Sequence, residues 1–127
     1  MTPEQREAFV TRPLPATLAT VDSRGRAHAV PVIYLYEGGE FLVITDRTSA
    51  KTRNVARSGR AALCIDDRPA FRYVTVEGPA RIADPITYET RLRLHTHYRG
   101  REAALKATAD GAHERMVAIL ITPERWY

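Results

Sequence analysis

Several residue types are scarce in this chain, and each scarcity excludes a class of structure. The 127 residues include a single cysteine, so an intrachain disulfide is impossible. Cys64 has apolar neighbours at 61–65, which predicts a small core residue. No apolar run approaches the roughly 18 residues that a membrane-crossing helix needs. Residues 1–6 are polar where a secretory signal would be apolar, so we expect a cytoplasmic protein with no membrane partner.

Lysine is almost absent as well. Lys51 and Lys106 are the only lysines among 19 basic residues, and the net charge is +4. The arginines are scattered through the chain, and zinc-ligand spacing, aromatic ribonucleoprotein motifs and a clear helix-turn-helix are all missing. We therefore expect no nucleic-acid partner, because a small polyanionic ligand explains the local cluster of cations near Lys51 better.

The spacing of the four histidines does not indicate a metal centre. His95 and His97 are two residues apart, which places them on different faces of a helix. His113 precedes the last predicted strand with no partner in view. His28 is either an exposed strand residue or a group at the rim of a site. No metal site is predicted.

Short strand-like segments dominate the pattern, and helices are few. The length fits one domain, 1–127. Six strands at short spacing predict a mainly β fold, a small antiparallel barrel with peripheral helices. Predicted strands cover Ala16–Val21, Ala27–Tyr36, Phe41–Thr45, Arg60–Asp66, Phe71–Ala83 and Met116–Ile121. Predicted helices cover Pro3–Val10, Ala50–Ser58 and Ile86–Ala107, the last one broken near Arg99 and Gly100.

Pro31 lies in the middle of the second predicted strand. Proline has no amide hydrogen to donate to a neighbouring strand, so this strand is expected at a sheet edge or a bulge. The backbone from Val30 to Val32 is then a place where a planar ligand can meet main-chain groups. A simple edge proline is the alternative interpretation.

The segment after the strand Phe41–Thr45 has an unusual order of charges. Helices begin with unpaired amides and the positive end of the dipole, so acidic residues normally occupy the first turn. Here Ser49 is a good N-cap, yet Lys51 and Arg53 follow it and Arg47 precedes it. This arrangement predicts a phosphate-binding helix start. The alternative is a basic turn that is simply solvated.

These segments together carry a family resemblance that spans nearly the whole chain. Its motifs are Leu18-Ala19-Thr20-Val21-Asp22-x-x-Gly25-x-x-His28-x-Val30-Pro31-Val32, Phe41-Leu42-Val43-Ile44-Thr45, Ser49-Ala50-Lys51-x-Arg53-Asn54-Val55 and Val74-Thr75-Val76-Glu77-Gly78. In this order they resemble the pyridoxamine 5'-phosphate oxidase-like split-barrel flavoproteins. Within that family they look most like the short actinobacterial enzymes that use the deazaflavin coenzyme F420. The resemblance implies a six-stranded antiparallel split β-barrel with Greek-key connections, and a homodimer with the cofactor at the subunit interface.

The resemblance also implies which residues bind the cofactor. Residues 30–32 would line its ring system, and Thr45 would lie beside the ribityl chain. Lys51 and Arg53, with Ser49 and the nearby backbone amides, would hold the phosphate. Arg72 and Tyr73 would approach from the other subunit or close the rim of the pocket. The assigned residues are Val30, Pro31, Val32, Thr45, Ser49, Lys51, Arg53, Asn54, Arg72 and Tyr73.

The function that the resemblance implies is hydride transfer between reduced coenzyme F420 and a small organic substrate. Relatives that oxidise pyridoxamine phosphate carry a further C-terminal segment beyond the point where this chain stops, so vitamin B6 oxidation is not expected. Arg47, Arg57 and Arg60 flank the predicted phosphate site, and we expect them to be free to meet the glutamate tail of the deazaflavin. Two alternatives stay open: an FMN-binding oxidoreductase, and a flavin, deazaflavin or haem carrier without turnover.

Overall fold

Strands form most of the structure, which is a computed structural model that describes all 127 residues. The strands are β1 (Ala16–Val21), β2 (Ala27–Val32), β3 (Leu35–Glu37), β4 (Glu40–Asp46), β5 (Arg60–Asp67), β6 (Arg72–Ala83), β7 (Met116–Ile121) and β8 (Arg125–Trp126). The helices are α1 (Pro3–Val10), α2 (Ala50–Ser58), α3 (Tyr88–Arg99) and α4 (Arg101–Ala107). None of these helices has both the length and the apolar character required to cross a membrane.

The strands form one curled antiparallel sheet in the order β2-β1-β5-β6-β7-β4-β3, and β8 pairs with β6. Although β2 and β3 follow one another in sequence, they lie at opposite ends of this order, so the barrel is split between them. The predicted mainly β split barrel with peripheral helices is confirmed. The edge position that Pro31 predicts is also confirmed, since β2 is an end strand.

The structure has eight strands rather than the predicted six. The predicted strand from Ala27 to Tyr36 is divided, because Tyr34 turns into the core and is fully buried. Its hydroxyl donates to the carbonyl oxygen of Val10 at 2.8 Å, and its amide donates to the hydroxyl of Tyr98 at 3.3 Å. The eighth strand has only two residues, which is too short for a residue pattern to reveal.

The helix boundaries follow their local signals. Thr2 and Gln5 form a reciprocal capping box at the start of α1. Gly59 ends α2 in the left-handed conformation, with φ of 69°. The predicted long helix is broken at Gly100, as expected, although α3 starts two residues later than predicted because Thr87 caps it.

The core lies inside the curled sheet and is closed by α1 and α2. Alternation along β5 places Leu63 and Ile65 inward, where both are fully buried. Cys64 therefore points to the outer face of the sheet and is only half-buried. The prediction of a core cysteine is wrong, because the apolar run around it reflects a strand with residues of low polarity on both faces.

Strand β6 is long enough to join the two halves of the sheet. Residues Arg72 to Pro79 pair with β5, and Ala80 to Ala83 pair with β7. At the change of partner the chain segment 122–124 crosses very close to Gly78. A Cβ atom at Gly78 would lie 2.0 Å from the carbonyl oxygen of Thr122. Only glycine permits this approach.

Substituting Gly78 by alanine is expected to destabilise the fold by about 3 kcal/mol or more, because the clash is with backbone that cannot rotate away. Urea unfolding measures the loss. Gly25→Ala is the matched control: its added Cβ meets nothing within 4 Å, so only the left-handed φ of 79° is penalised, by about 1 kcal/mol. Equal losses in the two variants would contradict the close-approach explanation.

Candidate functional site

The loop between β4 and α2 is built around the hydroxyl of Ser49. This oxygen accepts a hydrogen bond from the Thr52 amide at 3.3 Å, which confirms Ser49 as the N-cap. It also lies 3.1 Å from the hydroxyl of the buried Thr45 and 2.9 Å from that of Thr52. Thr45 and Ser49, both predicted site residues, are therefore in direct contact at the start of α2.

The first turn of α2 contains no acidic residue. The amides of Ala50 and Lys51 lie at its open end, where a helix offers them no partner. Lys51 is half-buried, and Arg53 is exposed with its guanidinium donating to the Thr48 carbonyl at 2.5 Å. The predicted reversal of charge at this helix start is present in the fold.

Asp46 is the acidic residue beside this loop, and its carboxylate is already hydrogen-bonded within the loop. One carboxylate oxygen accepts hydrogen bonds from the amide of Thr48 at 2.9 Å and from its hydroxyl at 2.8 Å. These bonds, with smaller contributions from Arg115 and Arg47, hold the pKa of Asp46 below its usual value. The aspartate thus shapes the loop and leaves the helix start electropositive.

Asn54 connects α2 to the sheet. Its side chain is buried, and its amide nitrogen donates to the hydroxyl of Thr20 in β1 at 3.0 Å. Thr20 in turn pairs in register with His28 of β2. This bond, made by the fifth residue of α2, fixes the helix relative to β1, the neighbour of the edge strand β2.

A cleft of about 690 Å³ lies between the β1–β2 turn and α2. Its only acidic lining residue, Asp22, is bound to Arg26, whose Nε donates to the carboxylate at 2.8 Å. Amide hydrogen bonds from Arg26 and Arg24 also lower the pKa of Asp22. The cleft is therefore positively charged. Its lining residues are Asp22, Ser23, Arg26, Ala27, His28, Ala50, Arg53, Asn54 and Arg57.

His28 lies in this cleft, although the sequence left its role open. Its Nδ1 atom is buried and has no hydrogen-bond partner. The signal that could have found it is the strand period: His28 faces the same way as Val30 and Val32 and sits opposite Thr20. No group of three or more histidine, cysteine or carboxylate side chains that could hold a metal ion is formed.

Four of the remaining predicted residues are distributed over two further clefts, whereas Val30, half-buried on the same face of β2 as His28, lines neither of them. Pro31 and Val32 line one of about 510 Å³, together with Tyr98. Arg72 and Tyr73 line another of about 470 Å³ at the start of β6. Lys51 does not line the cleft beside α2 that Arg53 and Asn54 share. A single subunit thus brings together only part of the predicted set.

The expectation of free flanking arginines is wrong for two of the three. Arg47 forms a two-pronged ion pair with Asp84, at 2.7 and 2.8 Å, which lowers the pKa of Asp84. Arg60 pairs with Glu77 at 2.7 Å and with a second glutamate, at position 124. Arg57 forms no ion pair, and its guanidinium donates to the carbonyl of Val21.

Comparison with known proteins places this arrangement in a family. A family model described as pyridoxamine 5'-phosphate oxidase matches residues 2–127. The chain belongs to the pyridoxamine 5'-phosphate oxidase family. No curated protein matched the sequence.

Solved structures share the oxidase-family fold over nearly the whole chain. An F420 reductase superposes with a TM-score of 0.82 at 23% identity, covering 99% of this chain and 98% of that one. A conserved hypothetical protein from Mycobacterium tuberculosis gives the same TM-score at 25% identity, with coverages of 99% and 82%. The haem storage protein HutZ from Vibrio cholerae gives 0.73 at 13% identity, with coverages of 98% and 92%.

Asn54→Ala is expected to destabilise the protein by about 1–3 kcal/mol, since the buried hydroxyl of Thr20 loses its partner. Lys51→Ala, in the same helix, should leave stability within about 0.5 kcal/mol, because no ion pair or side-chain hydrogen bond of Lys51 is formed. Urea unfolding of both variants checks the contrast. A loss of stability in Lys51→Ala as large as that in Asn54→Ala would contradict this contrast between a structural Asn54 and an unpaired Lys51.

Proposed function

We propose that the protein is an oxidoreductase that uses coenzyme F420 and transfers a hydride between the reduced deazaflavin and a small organic substrate. The observation that carries the proposal is the start of α2: a helix capped by Ser49, free of acid in its first turn, with Lys51 and Arg53 beside a positively charged cleft. Anions bind at such helix starts. The similarity in fold to an F420 reductase supports the choice of cofactor.

The proposed binding mode places the cofactor phosphate at the start of α2 and the cofactor ring at the edge strand β2. Lys51, Arg53 and the open amides of α2 hold the phosphate, with Thr45 beside the linker. Val30 to Val32 line the ring, at the edge where Pro31 leaves backbone groups without a neighbouring strand. When bound, the deazaflavin supplies the hydride chemistry, and the protein binds, orients and excludes water. No side chain is assigned a proton-transfer role.

The choice of the deazaflavin over FMN rests on charge beyond the phosphate. Both cofactors carry a phosphate, but the deazaflavin also carries a chain of carboxylates. With Arg47 and Arg60 committed to ion pairs, Arg57 is the flanking cation that forms none, and it lines the same cleft as Arg53. Exposed contacts of this kind are individually weak and are screened by salt.

An FMN-dependent oxidoreductase is the alternative within the same site. A second alternative is a carrier that binds a flavin, deazaflavin or haem without turnover. The fold similarity to a haem storage protein supports this alternative. A change in cofactor absorbance that depends on added substrate separates an enzyme from a carrier.

We further propose that two copies associate through the outer face of β2, β1, β5 and β6. A sheet face exposed to water normally alternates to polar residues. The middle of this face instead carries small and mostly apolar side chains, with the charged Arg60, Asp66 and Glu77 at its margins. A second copy can therefore pack against it and bring the separate clefts of two subunits together. Its residues include Thr17, Ala19, Val21, Ala29, Pro31, Ala62, Cys64 and Thr75.

Sedimentation at micromolar protein concentration is expected to show a dimer. Its interface should bury more than roughly 2,000 Å² in total, as obligate dimers usually do. Ala29→Glu places a charge on the proposed interface and should yield folded monomer. Ala103→Glu, at an exposed alanine on α4, should remain dimeric. A folded 14.3 kDa species in the wild type would contradict the dimer.

Removal of either cation should weaken cofactor binding. Loss of one charge-assisted contact costs about 1.5–3 kcal/mol, so Lys51→Ala and Arg53→Ala should each lower the affinity for coenzyme F420 by roughly ten- to a hundredfold. Lys106, the other lysine, is exposed on α4 and paired with Glu102 at 4.0 Å, so Lys106→Ala is the matched control. An affinity within twofold of wild type would remove that cation from the phosphate site.

The same titrations decide between the cofactors. Coenzyme F420 should bind more tightly than FMN at low salt, and its advantage should shrink as salt is raised. Arg57→Gln should reduce the advantage without changing FMN affinity. Equal or stronger FMN binding at low salt would favour the flavin-dependent alternative.

A further inference from the structure

Aromatic side chains are unusually exposed where β6 begins. Phe71 is 92% exposed, Tyr73 61% and Tyr127 67%. Single exposed apolar residues are common, but three aromatic residues lining one surface cleft indicate a binding surface. The cleft has a volume of about 470 Å³, within the range of small-molecule sites.

Phe71 is also held in a backbone conformation that suits it poorly. Its φ is 52° and its ψ 40°, the left-handed region that glycine or asparagine adopts more readily. The conformation is fixed by the hydrogen bond from its amide to the carbonyl of Arg68 at 3.0 Å. Because the ring is almost fully exposed, core packing does not explain why a phenylalanine stands at this position.

Two arginines give the aromatic cleft its charge. The guanidinium of Arg6 lies 4.1 Å from the ring centre of Trp126, and that of Arg72 lies 5.7 Å from the ring centre of Phe9. Neither arginine forms an ion pair, whereas nearby Arg12 pairs with an aspartate at 2.9 Å. No aspartate or glutamate side chain lines the cleft.

The aromatic cleft lies at the same end of the sheet as the proposed ring site. Val32 pairs with Ala16 of β1, Ala16 with Ile65 of β5, and Ile65 with Val74 of β6. Three strand spacings separate Val32 from Val74, or about 14 Å. This distance can be closed if a second copy contributes one of the two sites.

We propose that the aromatic cleft, whose residues Arg72 and Tyr73 are expected at the rim of the cofactor pocket, is the substrate-binding site. It takes a planar aromatic anion, such as a carboxylate on a fused ring system. Phe71 and Tyr73 stack on the ring, and Arg6 and Arg72 meet the anionic group. The assignment of this ligand as substrate rests on the proposed oxidoreductase function. Binding of the planar anion itself does not.

The chain contains one tryptophan, and it lines this cleft. Fluorescence from Trp126 therefore reports binding directly. Two probes with the same ring, pyrene-1-carboxylate and pyrene-1-methanol, are titrated into protein without coenzyme. The carboxylate should bind about tenfold more tightly than the alcohol, and Arg6→Gln and Arg72→Gln should each reduce this preference to near twofold. Arg101→Gln, at an exposed arginine on α4, should keep the preference.

Phe71→Asn separates a binding role from a structural one. Asparagine tolerates the left-handed conformation, so the unfolding midpoint should be equal to or above that of wild type. Both probes should bind roughly five- to tenfold more weakly, because the stacking ring is lost. Stability and binding thus move in different directions, which a purely structural residue would not produce.

Three results would overturn the proposal. These are equal affinity for the two probes, unchanged affinity in Phe71→Asn, and conversion of a dimer to monomer by Phe71→Asn in sedimentation, which would make the aromatic cleft part of a subunit contact. Failure of coenzyme F420 to bind, with probe preference intact, would reject the proposed function but leave the anion site in place.

Discussion

The close passage of segment 122–124 over Gly78 is the constraint on which the rest of the structure depends. It allows β6 to leave β5 and continue along β7, so one strand belongs to both halves of the sheet. Helix α2 then spans these halves, since it follows β4 directly and is bonded to β1 through Asn54 and Thr20. A wider crossing would separate the start of α2 from the edge strand that completes the cleft.

Local chemistry was predictable from the sequence where a few neighbouring residues determine it. Ser49, Gly59 and Gly100 set helix ends by capping and by φ, and Pro31 marked an edge strand, so these features were confirmed. The division of the second predicted strand was not predictable. It depends on the hydrogen bond of Tyr34 to Val10, whose partner lies 24 residues away in the sequence.

The candidate site shows the same limit. The reversed charges at Lys51 and Arg53 could be seen in the sequence, because a helix start is a local structure. The engagement of Arg47 by Asp84 could not, since the partners are 37 residues apart and meet only through the fold. His28 also needed the register of β1 and β2, which places it beside α2. The family resemblance, in contrast, correctly indicated the fold, because it draws on the order of all motifs together.

The bond between Asn54 and Thr20 has a geometric consequence. Thr20 pairs with His28, and four residues along the same strand lies Val32, a separation of about 13 Å. The backbone of β2 therefore keeps His28, beside α2, at this fixed distance from Val32, at the edge that the proposed binding mode assigns to the cofactor ring. Under the proposed binding mode, a molecule whose anionic group and ring are joined by a linker of another length can occupy only one of the two sites, so the scaffold would select its ligand by length.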